Sequence, residues 1–171
     1  TAQAASIVSW GTDLLGSGLI TNTPSGTDFT SIANGTYHSL ALDSNGSIVS
    51  WGYDAYNQVA NTPGGTGFTA IAGGIYHSLA LGSNGSINSW GWDQYNQVSN
   101  TPTGNGFIAI ASGAYHNLAL DSNGSIVSWG LDDFNQVSNT PEGNGFLAIA
   151  SSAFHSFALD SNGSIVSWGR D

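Results

Sequence analysis

A six-residue sequence that occurs five times constrains the fold of this chain more than any other feature. SIVSWG, once written SINSWG, begins at residues 6, 47, 86, 125 and 164. A second phrase, YHSLAL or a close variant, begins 14 residues before each of the last four tryptophans of the first phrase. Repetition at a fixed period near 40 residues indicates stacked copies of one supersecondary unit. The tryptophans, separated by 41, 39, 39 and 39 residues, are Trp10, Trp51, Trp90, Trp129 and Trp168.

Each unit is predicted to contain four short strands, labelled A to D in chain order. Strand A is an apolar run such as FTAIA, and strand B is YHSLAL, in which small and large residues alternate. Ser-Asn-Gly then leads into strand C, SIVSWG, because Asn-Gly between two such runs favours a hairpin. Strand D is NQVxNTP, whose closing proline suits a sheet edge or exit. Four antiparallel strands in about 39 residues are typical of a β-propeller blade. The main alternative, a parallel β-helix, has shorter coils and accommodates the hairpin poorly.

We therefore predict an all-β fold, a single array of β-propeller blades over residues 1–171. Its parts are an N-terminal partial blade 1–24, repeats 25–63, 64–102 and 103–141, and a C-terminal partial blade 142–171. In strand order the chain reads C D, three times A B C D, and finally A B C. A ring closed by pairing the two ends would therefore hold one C strand too many. The sequence predicts redundant terminal C strands, in a ring that is incomplete or completed by other chains.

Charge and composition exclude several classes of partner. The chain has eleven acidic residues against one basic residue, a net charge of -10, and no cysteine. Nucleic acids and anionic membrane surfaces require clustered Lys and Arg, so neither is an expected partner. The apolar runs are too short to span a bilayer, so no membrane insertion is expected. A surface rich in Thr, Ser, Asn and Gly favours an extracellular or cell-surface location.

The stretch YHSLALDSNGSIVSWGYDAYNQV, which begins at Tyr37, resembles the regulator of chromosome condensation repeat family. The shared marks are the aromatic-His-Ser-Leu-Ala-Leu strand, the Gly turn, the Trp-Gly strand end and a following Gly-Gln. The short units are most similar to bacterial propellers of the family, which include propeller-type β-lactamase inhibitors. The resemblance implies a propeller, usually of seven blades. The basic surface of the chromatin-binding, nucleotide-exchange member is missing here. Asn replaces the Gly of Gly-Gln at Asn57, Asn96 and Asn135, and Asn is well suited to a left-handed backbone.

Residues that recur at one strand position are predicted to be structural. Together with the repeat tryptophans, this applies to one histidine per unit. The resemblance implies that this histidine supports packing and hydrogen bonding between blades. The four histidines are His38, His77, His116 and His155.

An aspartate follows each of the first four Trp-Gly pairs after one residue and has two interpretations. It caps its loop by accepting backbone N–H groups, or it holds Ca²⁺ if the loops bring oxygens together. The capping interpretation is favoured, and no cofactor is expected. The calcium candidates are Asp54, Asp93 and Asp132, and Asp13 holds the same place in the first unit.

Five Asn-Gly-Ser/Thr sequences match the N-glycosylation acceptor, although Asn-Gly also explains them as turns. These are Asn34, Asn45, Asn84, Asn123 and Asn162.

Residues that vary after Trp-Gly are candidates for a binding rim, because loops at one edge of a propeller carry function. They are Tyr53, Trp92 and Leu131. The aromatic residues three positions later recur and are equally well explained by packing: Tyr56, Tyr95 and Phe134.

The sequence contains no recognisable nucleophile with its base, phosphate loop or catalytic carboxylate pair, so we predict that the protein is not an enzyme. We expect a structural or scaffold protein outside the cell that assembles with copies of itself, as a closed oligomer or a head-to-tail fibre. The assembly residues would be Ile7, Trp10, Ile165 and Trp168. The alternative is a binding module, lectin-like or protein-inhibiting, that uses its rim loops for a glycan or protein ligand. The charge least favours a nucleotide-exchange or chromatin factor.

Overall fold

A computed structural model describes residues 6–13 and 16–170 and is built from four three-stranded antiparallel sheets in its described part. Each sheet has the order A-B-C, and we number these sheets blades 1 to 4 in chain order. The predicted all-β propeller architecture is confirmed. The strands are β1 (Phe29–Asn34), β2 (His38–Asp43) and β3 (Ile48–Gly52) in blade 1; β4 (Phe68–Gly73), β5 (His77–Gly82) and β6 (Ile87–Gly91) in blade 2; β7 (Phe107–Ser112), β8 (His116–Asp121) and β9 (Ile126–Gly130) in blade 3; and β10 (Phe146–Ser151), β11 (His155–Asp160) and β12 (Ile165–Gly169) in blade 4.

The predicted strand D is wrong, because NQVxNTP forms a chain of turns in each repeat. In the first full repeat the carboxylate of Asp54 accepts the backbone N–H groups of Val59 and Ala60, at 2.7 and 3.0 Å. Donors held in this way are not available for a sheet ladder. Asn57 adopts a φ of 60°, which bends the chain further and agrees with the left-handed position expected for this asparagine. We call the stretch a turn segment.

The first copy of the repeated phrase, Ser6–Gly11, was also predicted to be a strand C, and it is not a strand. Every observed strand C pairs only with strand B of its own blade. Among residues 6–13 and 16–170, no strand is paired with Ser6–Gly11.

Neighbouring blades pack a large face onto a small one, as the alternation in strand B predicts. Leu79 and Leu81 of blade 2 pack on Ala119 and Trp129 of blade 3. The other two junctions repeat this arrangement. The large face of each blade, with its His, Leu and Ile side chains, therefore points to the following blade. The small face, with Ser, Ala and Trp, points to the preceding one.

The turn between strands A and B brings the backbone against the repeat histidine. A Cβ atom added at Gly74 would lie 2.1 Å from Cε1 of His77, so only glycine fits there. The same turns link the blades, because Ile75 donates its backbone N–H to the Ala114 carbonyl at 3.1 Å. These contacts fix the histidine ring at the junction between blades.

The four sheets do not close into a ring in the described part of the chain. Blades 1 and 4 therefore each have one face without a neighbouring blade. None of the described segments is a helix long and apolar enough to cross a lipid bilayer.

Candidate functional site

Three of the four repeat histidines join consecutive blades. His38 Nε2 lies 2.7 Å from Ser78 Oγ, and His77 Nε2 lies 2.7 Å from Asn117 Oδ1. His116 makes the corresponding hydrogen bond of 2.9 Å to Ser156. All three rings are fully buried, and this desolvation lowers the pKa of each to about 4. They are therefore neutral at neutral pH and act as hydrogen-bonding groups within the core.

The fourth histidine, His155, lies on the large face of blade 4 and is exposed. Its Nδ1 is 2.9 Å from Ser152 Oγ. Its counterparts in blades 1 to 3 all contact a Ser or Asn of the next blade. His155 is thus a junction residue on a face to which the described chain contributes no further blade.

The turn segments hold the tryptophans of the following blade. Trp90 donates its indole N–H to the Gln58 carbonyl at 2.9 Å, and Trp51 donates to the Leu19 carbonyl at 3.0 Å. Trp129 and Trp168 repeat the contact. Trp168 is therefore buried between blades 3 and 4, away from the open face, whereas Trp10 is 83% exposed.

Sequence reasoning missed the glutamine of each turn segment. Gln58 is fully buried, and its Oε1 accepts the backbone N–H of Tyr56 at 3.0 Å. Gln97 and Gln136 do the same for the residues two positions before them. The signal was present, since Asn-Gln recurs at the same place in three successive repeats. A buried polar side chain that shapes its own turn gives no other sign in a sequence.

The calcium candidates cap their own turn segments and do not converge. Asp93 Oδ1 accepts from the N–H groups of Val98 and Ser99 at 2.7 and 2.9 Å, as Asp54 does in its repeat. Asp132 repeats this arrangement. Burial tends to raise the pKa of Asp132, but the donated N–H groups outweigh it and the pKa is lowered. No group of three metal-binding side chains is found among residues 6–13 and 16–170.

The Asn-Gly-Ser sites all lie on exposed turns. In three repeats an aspartate caps this turn, as when Asp43 accepts from Asn45 and Ser47. Gly82 stands at that place in blade 2, where Asn84 Oδ1 accepts from the Ser86 N–H instead. Turn formation is therefore a complete structural role for these residues. The five asparagines are exposed: Asn34, Asn45, Asn84, Asn123 and Asn162.

A continuous set of aromatic rings lies where the B strands begin and the C strands end. Neighbouring ring centroids are 5.0 to 6.4 Å apart. Three rings are 39 to 40% exposed: Tyr37, Tyr53 and Tyr56. Burial within the set raises the pKa of Tyr76 and of Tyr115. We call this surface the aromatic rim; it consists of Tyr37, Tyr53, Tyr56, Tyr76, Trp92, Tyr95 and Tyr115.

The three residues predicted for a binding rim differ in their exposure and in their contacts. Tyr53 and Trp92 are part of the aromatic rim, together with the recurring Tyr56 and Tyr95. Leu131, at the equivalent position of blade 3, is buried with 7% exposure. Blade 4 has Arg170 at that position, and its guanidinium lies 4.8 Å from the centroid of Phe134.

The two unpaired faces are complementary in their composition. Blade 4 exposes 74% of Ile165, whereas the equivalent Ile87 is 7% exposed in blade 2. On blade 1 the residues 7–10 line one side of a cavity of about 340 Å³, which is also lined by Ser39, Trp51 and Ile32. Ile7 lines the same cavity. The site is thus a pair of faces that match the interior junctions of the array.

Comparison with known proteins identifies the repeat and the fold. Four stretches match the family model of the regulator of chromosome condensation (RCC1) repeat, at residues 29–58, 68–97, 107–136 and 146–171. This repeat family is generally non-catalytic and serves binding and exchange. No curated protein sequence matches the chain.

Solved propellers superimpose on nearly the whole chain at low sequence identity. The ectodomain of the Physcomitrella patens receptor kinase CR4 matches with a TM-score of 0.80 and 20% identity, over 98% of this chain and 47% of that one. Prp20p from Saccharomyces cerevisiae matches with a TM-score of 0.78 and 23% identity, over 99% and 54%. Human WBSCR16 matches with a TM-score of 0.70 and 19% identity, over 82% and 47%. The chain therefore spans about half the length of these structures, and the likeness concerns the fold alone.

Proposed function

The chain belongs to the regulator of chromosome condensation repeat family, and from that premise we propose that it is a non-catalytic structural protein that assembles with copies of itself. Blade 4 of one copy docks its large face onto the small face of blade 1 of the next. Only 7% of its residues are charged, and it is rich in Thr, Ser, Asn and Gly. This composition supports a role outside the cell or on its surface.

The exposed large face of blade 4 is the observation that carries this proposal. Phe157 and Leu159 are 37% and 36% exposed, whereas the equivalent Leu79 and Leu81 are 0% and 4% exposed. Every other large face in the array is covered by the small face of a following blade. Burying an apolar side chain of this size contributes about 1.5 to 3 kcal/mol. The face therefore favours an occupant that resembles blades 2, 3 and 4.

Blade 1 of a second copy resembles that occupant. Its Ser39 stands where Ser78 and Ser156 accept the histidine of the preceding blade, so it can receive His155 of another copy. Ile32 is 62% exposed, as expected for a small face that lacks its neighbour. The repeats thus supply both halves of a junction that occurs three times within the chain.

The segment Ser6–Gly11 occupies part of the place that an incoming blade would take. Ser9 is 2.7 Å from the hydroxyl of Thr23, and Ser89 of strand C in blade 2 is 2.6 Å from Thr101 in the same way. Residues 164–169, which contain β12, have the same sequence, SIVSWG, as this segment. Docking therefore requires an exchange, in which β12 of one copy replaces Ser6–Gly11 of the next.

The geometry of successive junctions determines the size of the assembly. Two copies that meet at both junctions make a closed ring of eight blades, since each chain contributes four. A head-to-tail contact whose rotation does not close propagates as a fibre. Both products bury the same two faces.

Ile165→Glu tests the junction because it puts a charge on the exposed face of blade 4. We expect the wild-type chain to form closed dimers or fibres, and the variant to be monomeric with an unchanged circular dichroism spectrum. Size-exclusion chromatography with light scattering, followed by electron microscopy, measures this. Val127→Asn is the matched control, because β6 already carries Asn88 at that position. A wild-type chain that stays monomeric at 100 μM, or an Ile165→Glu chain that still assembles, contradicts the proposal.

The aromatic rim favours a second function, that of a binding module. Exposed aromatic side chains joined into one surface are enriched where proteins bind ligands. The rim residues lie where the B strands begin and the C strands end, and they include none of the apolar side chains exposed on the blade 4 face, so binding and assembly are compatible. The ligand would be a glycan or a protein, and the two are distinguished by the chemistry of the rim.

A further inference from the structure

We infer that the aromatic rim binds cationic groups, the guanidinium or alkylammonium groups of a basic peptide. This inference names the ligand class for the second function proposed above, rests on that function, and is independent of self-assembly. It is based on the ring geometry, on the charge of the chain and on a contact that the chain makes with its own cation.

The rings at blades 1 and 2 are arranged as an acceptor for cations. Tyr37 and Tyr76 are stacked with centroids 5.1 Å apart, while Tyr53 and Tyr56 meet at a steep angle of 64°. Trp92 closes the group at 5.9 Å from Tyr56. Faces of Tyr and Trp attract cations through the ring quadrupole, and several rings at steep angles are how proteins hold methylated ammonium groups.

The chain's own guanidinium occupies the equivalent place in blade 4. Arg170 lies 4.8 Å from the Phe134 centroid and 5.8 Å from the Phe154 centroid. Arg170 follows strand C as Tyr53 does in blade 1, and both donate their backbone N–H to the aromatic residue that precedes strand B. The rim position is therefore compatible with a guanidinium over paired rings. The phenol rings of blades 1 and 2 offer the same kind of surface.

Charge complementarity favours a cation over a neutral sugar. The chain has a net charge of -10, and Arg170 is its only basic residue. Asp54 directly follows Tyr53 and is exposed beside it. Asp93, which is half-buried, directly follows Trp92. A ring surface flanked by carboxylates attracts cationic ligands from a distance and holds them at short range.

Aromatic NMR shifts of the full chain provide a direct test. We expect an Arg-Gly repeat peptide and tetramethylammonium to shift the Tyr and Trp ring signals of the rim at low salt. A citrulline-Gly peptide of equal length and tert-butyl alcohol, which are neutral, should leave these signals in place. Maltohexaose serves as the glycan probe. Because these arms use only the wild-type chain, the test does not depend on the folding of a variant.

Tyr53→Leu is the variant that locates the site. Blade 3 already carries Leu131 at this position, so the substitution is compatible with the fold. We expect at least a fivefold weaker affinity for the Arg-Gly peptide. Ile108→Thr is the control with unchanged affinity, because Ile108 is exposed at the start of β7 and β4 carries Thr69 there.

Four results would overturn the inference. Equal shifts with the citrulline peptide, or undiminished affinity in Tyr53→Leu, would exclude a cation site on these rings. Shifts with maltohexaose alone would overturn the ligand class and leave a glycan-binding rim. A wild-type chain whose rim signals respond to none of these probes overturns the ligand class and removes the support for a rim-binding function.

Discussion

At the scale of single residues, the repeat histidines link the stability of the array to pH. Burial lowers the pKa of His38, His77 and His116 to about 4, against an ordinary value of 6.5. Between these two values the unfolded chain binds more protons than the folded chain. Stability is therefore fully present above pH 6.5 and decreases as the pH falls toward 4.

The expected loss between pH 7.5 and pH 5 is about 2 kcal/mol for each of the buried histidines. Urea unfolding at the two pH values, at one protein concentration, measures it. His77→Gln should remove about a third of the pH-dependent loss, because it removes one of the three buried rings. A free energy of unfolding that does not change over this pH interval would show that folding does not lower the pKa of the buried rings.

Gly82 stands where the other three repeats carry a turn-capping aspartate, so those repeats provide the comparison for a substitution at this position. Gly82→Asp introduces the turn-capping carboxylate that Asp43, Asp121 and Asp160 supply elsewhere. The new Cβ would lie 2.9 Å from Asn84 Oδ1, a flexible side chain that can move away. We expect a gain of about 0.5 to 1 kcal/mol in unfolding free energy, from the added hydrogen bonds and the restricted unfolded chain.

Asp121→Gly is the reverse substitution, and it should cost about 1 kcal/mol because the N–H groups of Asn123 and Ser125 lose their acceptor. Urea midpoints of both variants beside the wild type measure the pair. The capping account predicts opposite signs, so a shared sign contradicts it.

At the scale of elements, the turn segment is set by one left-handed residue. Asn57 has a φ of 60°, a conformation that residues with a Cβ adopt at a cost and that Gly adopts freely. Asn57→Ala should therefore lower the unfolding free energy by about 1 kcal/mol, and Asn57→Gly should leave it nearly unchanged. Thermal unfolding of the two variants measures the difference. An alanine variant as stable as the glycine variant would mean that the segment relaxes to another conformation.

Strands A, B and C could be predicted from the sequence because each pattern is local. The apolar run, the small-large alternation and the Asn-Gly hairpin are all contained within a few residues. The turn segment could not, because its conformation depends on a side chain that accepts backbone donors five and six residues later, as Asp54 does. Ser6–Gly11 has the sequence of a strand but is paired with no strand in the described part of the chain, and pairing is not a property of the segment itself.

Only part of the candidate site could likewise be predicted from the sequence. Recurrence predicts a structural role for the histidines, and they share one position on strand B. The aromatic rim could be recognised only in the structure, because contacts such as that between Tyr56 and Tyr76 join residues of different repeats. Leu131 has the same sequence position as Tyr53 and Trp92, yet it is buried with 7% exposure. The position of a residue in the repeat therefore predicts that it lies at this edge of its blade. Side-chain packing determines whether that residue is exposed to solvent.

At the scale of the whole molecule, near-identical repeats make every junction interchangeable with the others. Stability of such an array is approximately a sum over units and their nearest-neighbour contacts. A chain of four blades has three internal junctions. In the proposed assembly, each junction between copies would be built from the same kinds of His, Leu–Ala and Trp contacts, so docking of a second copy would continue folding between chains.

Deletion of residues 1–11 tests whether Ser6–Gly11 competes with β12 of another copy. The deletion leaves Leu19 in place, whose carbonyl accepts the Trp51 indole N–H at 3.0 Å. It removes the segment that lines one side of the cavity on blade 1, beside the Ser39 that an incoming His155 would reach. Assembly of the shortened chain should therefore begin at a protein concentration at least tenfold lower than for the full chain, as measured by light scattering over a dilution series. Combining the deletion with Ile165→Glu should return the chain to a monomer, because the other half of the junction is then lost. If the deletion weakens assembly, Ser6–Gly11 contributes to the junction between copies, and the exchange of segments is wrong.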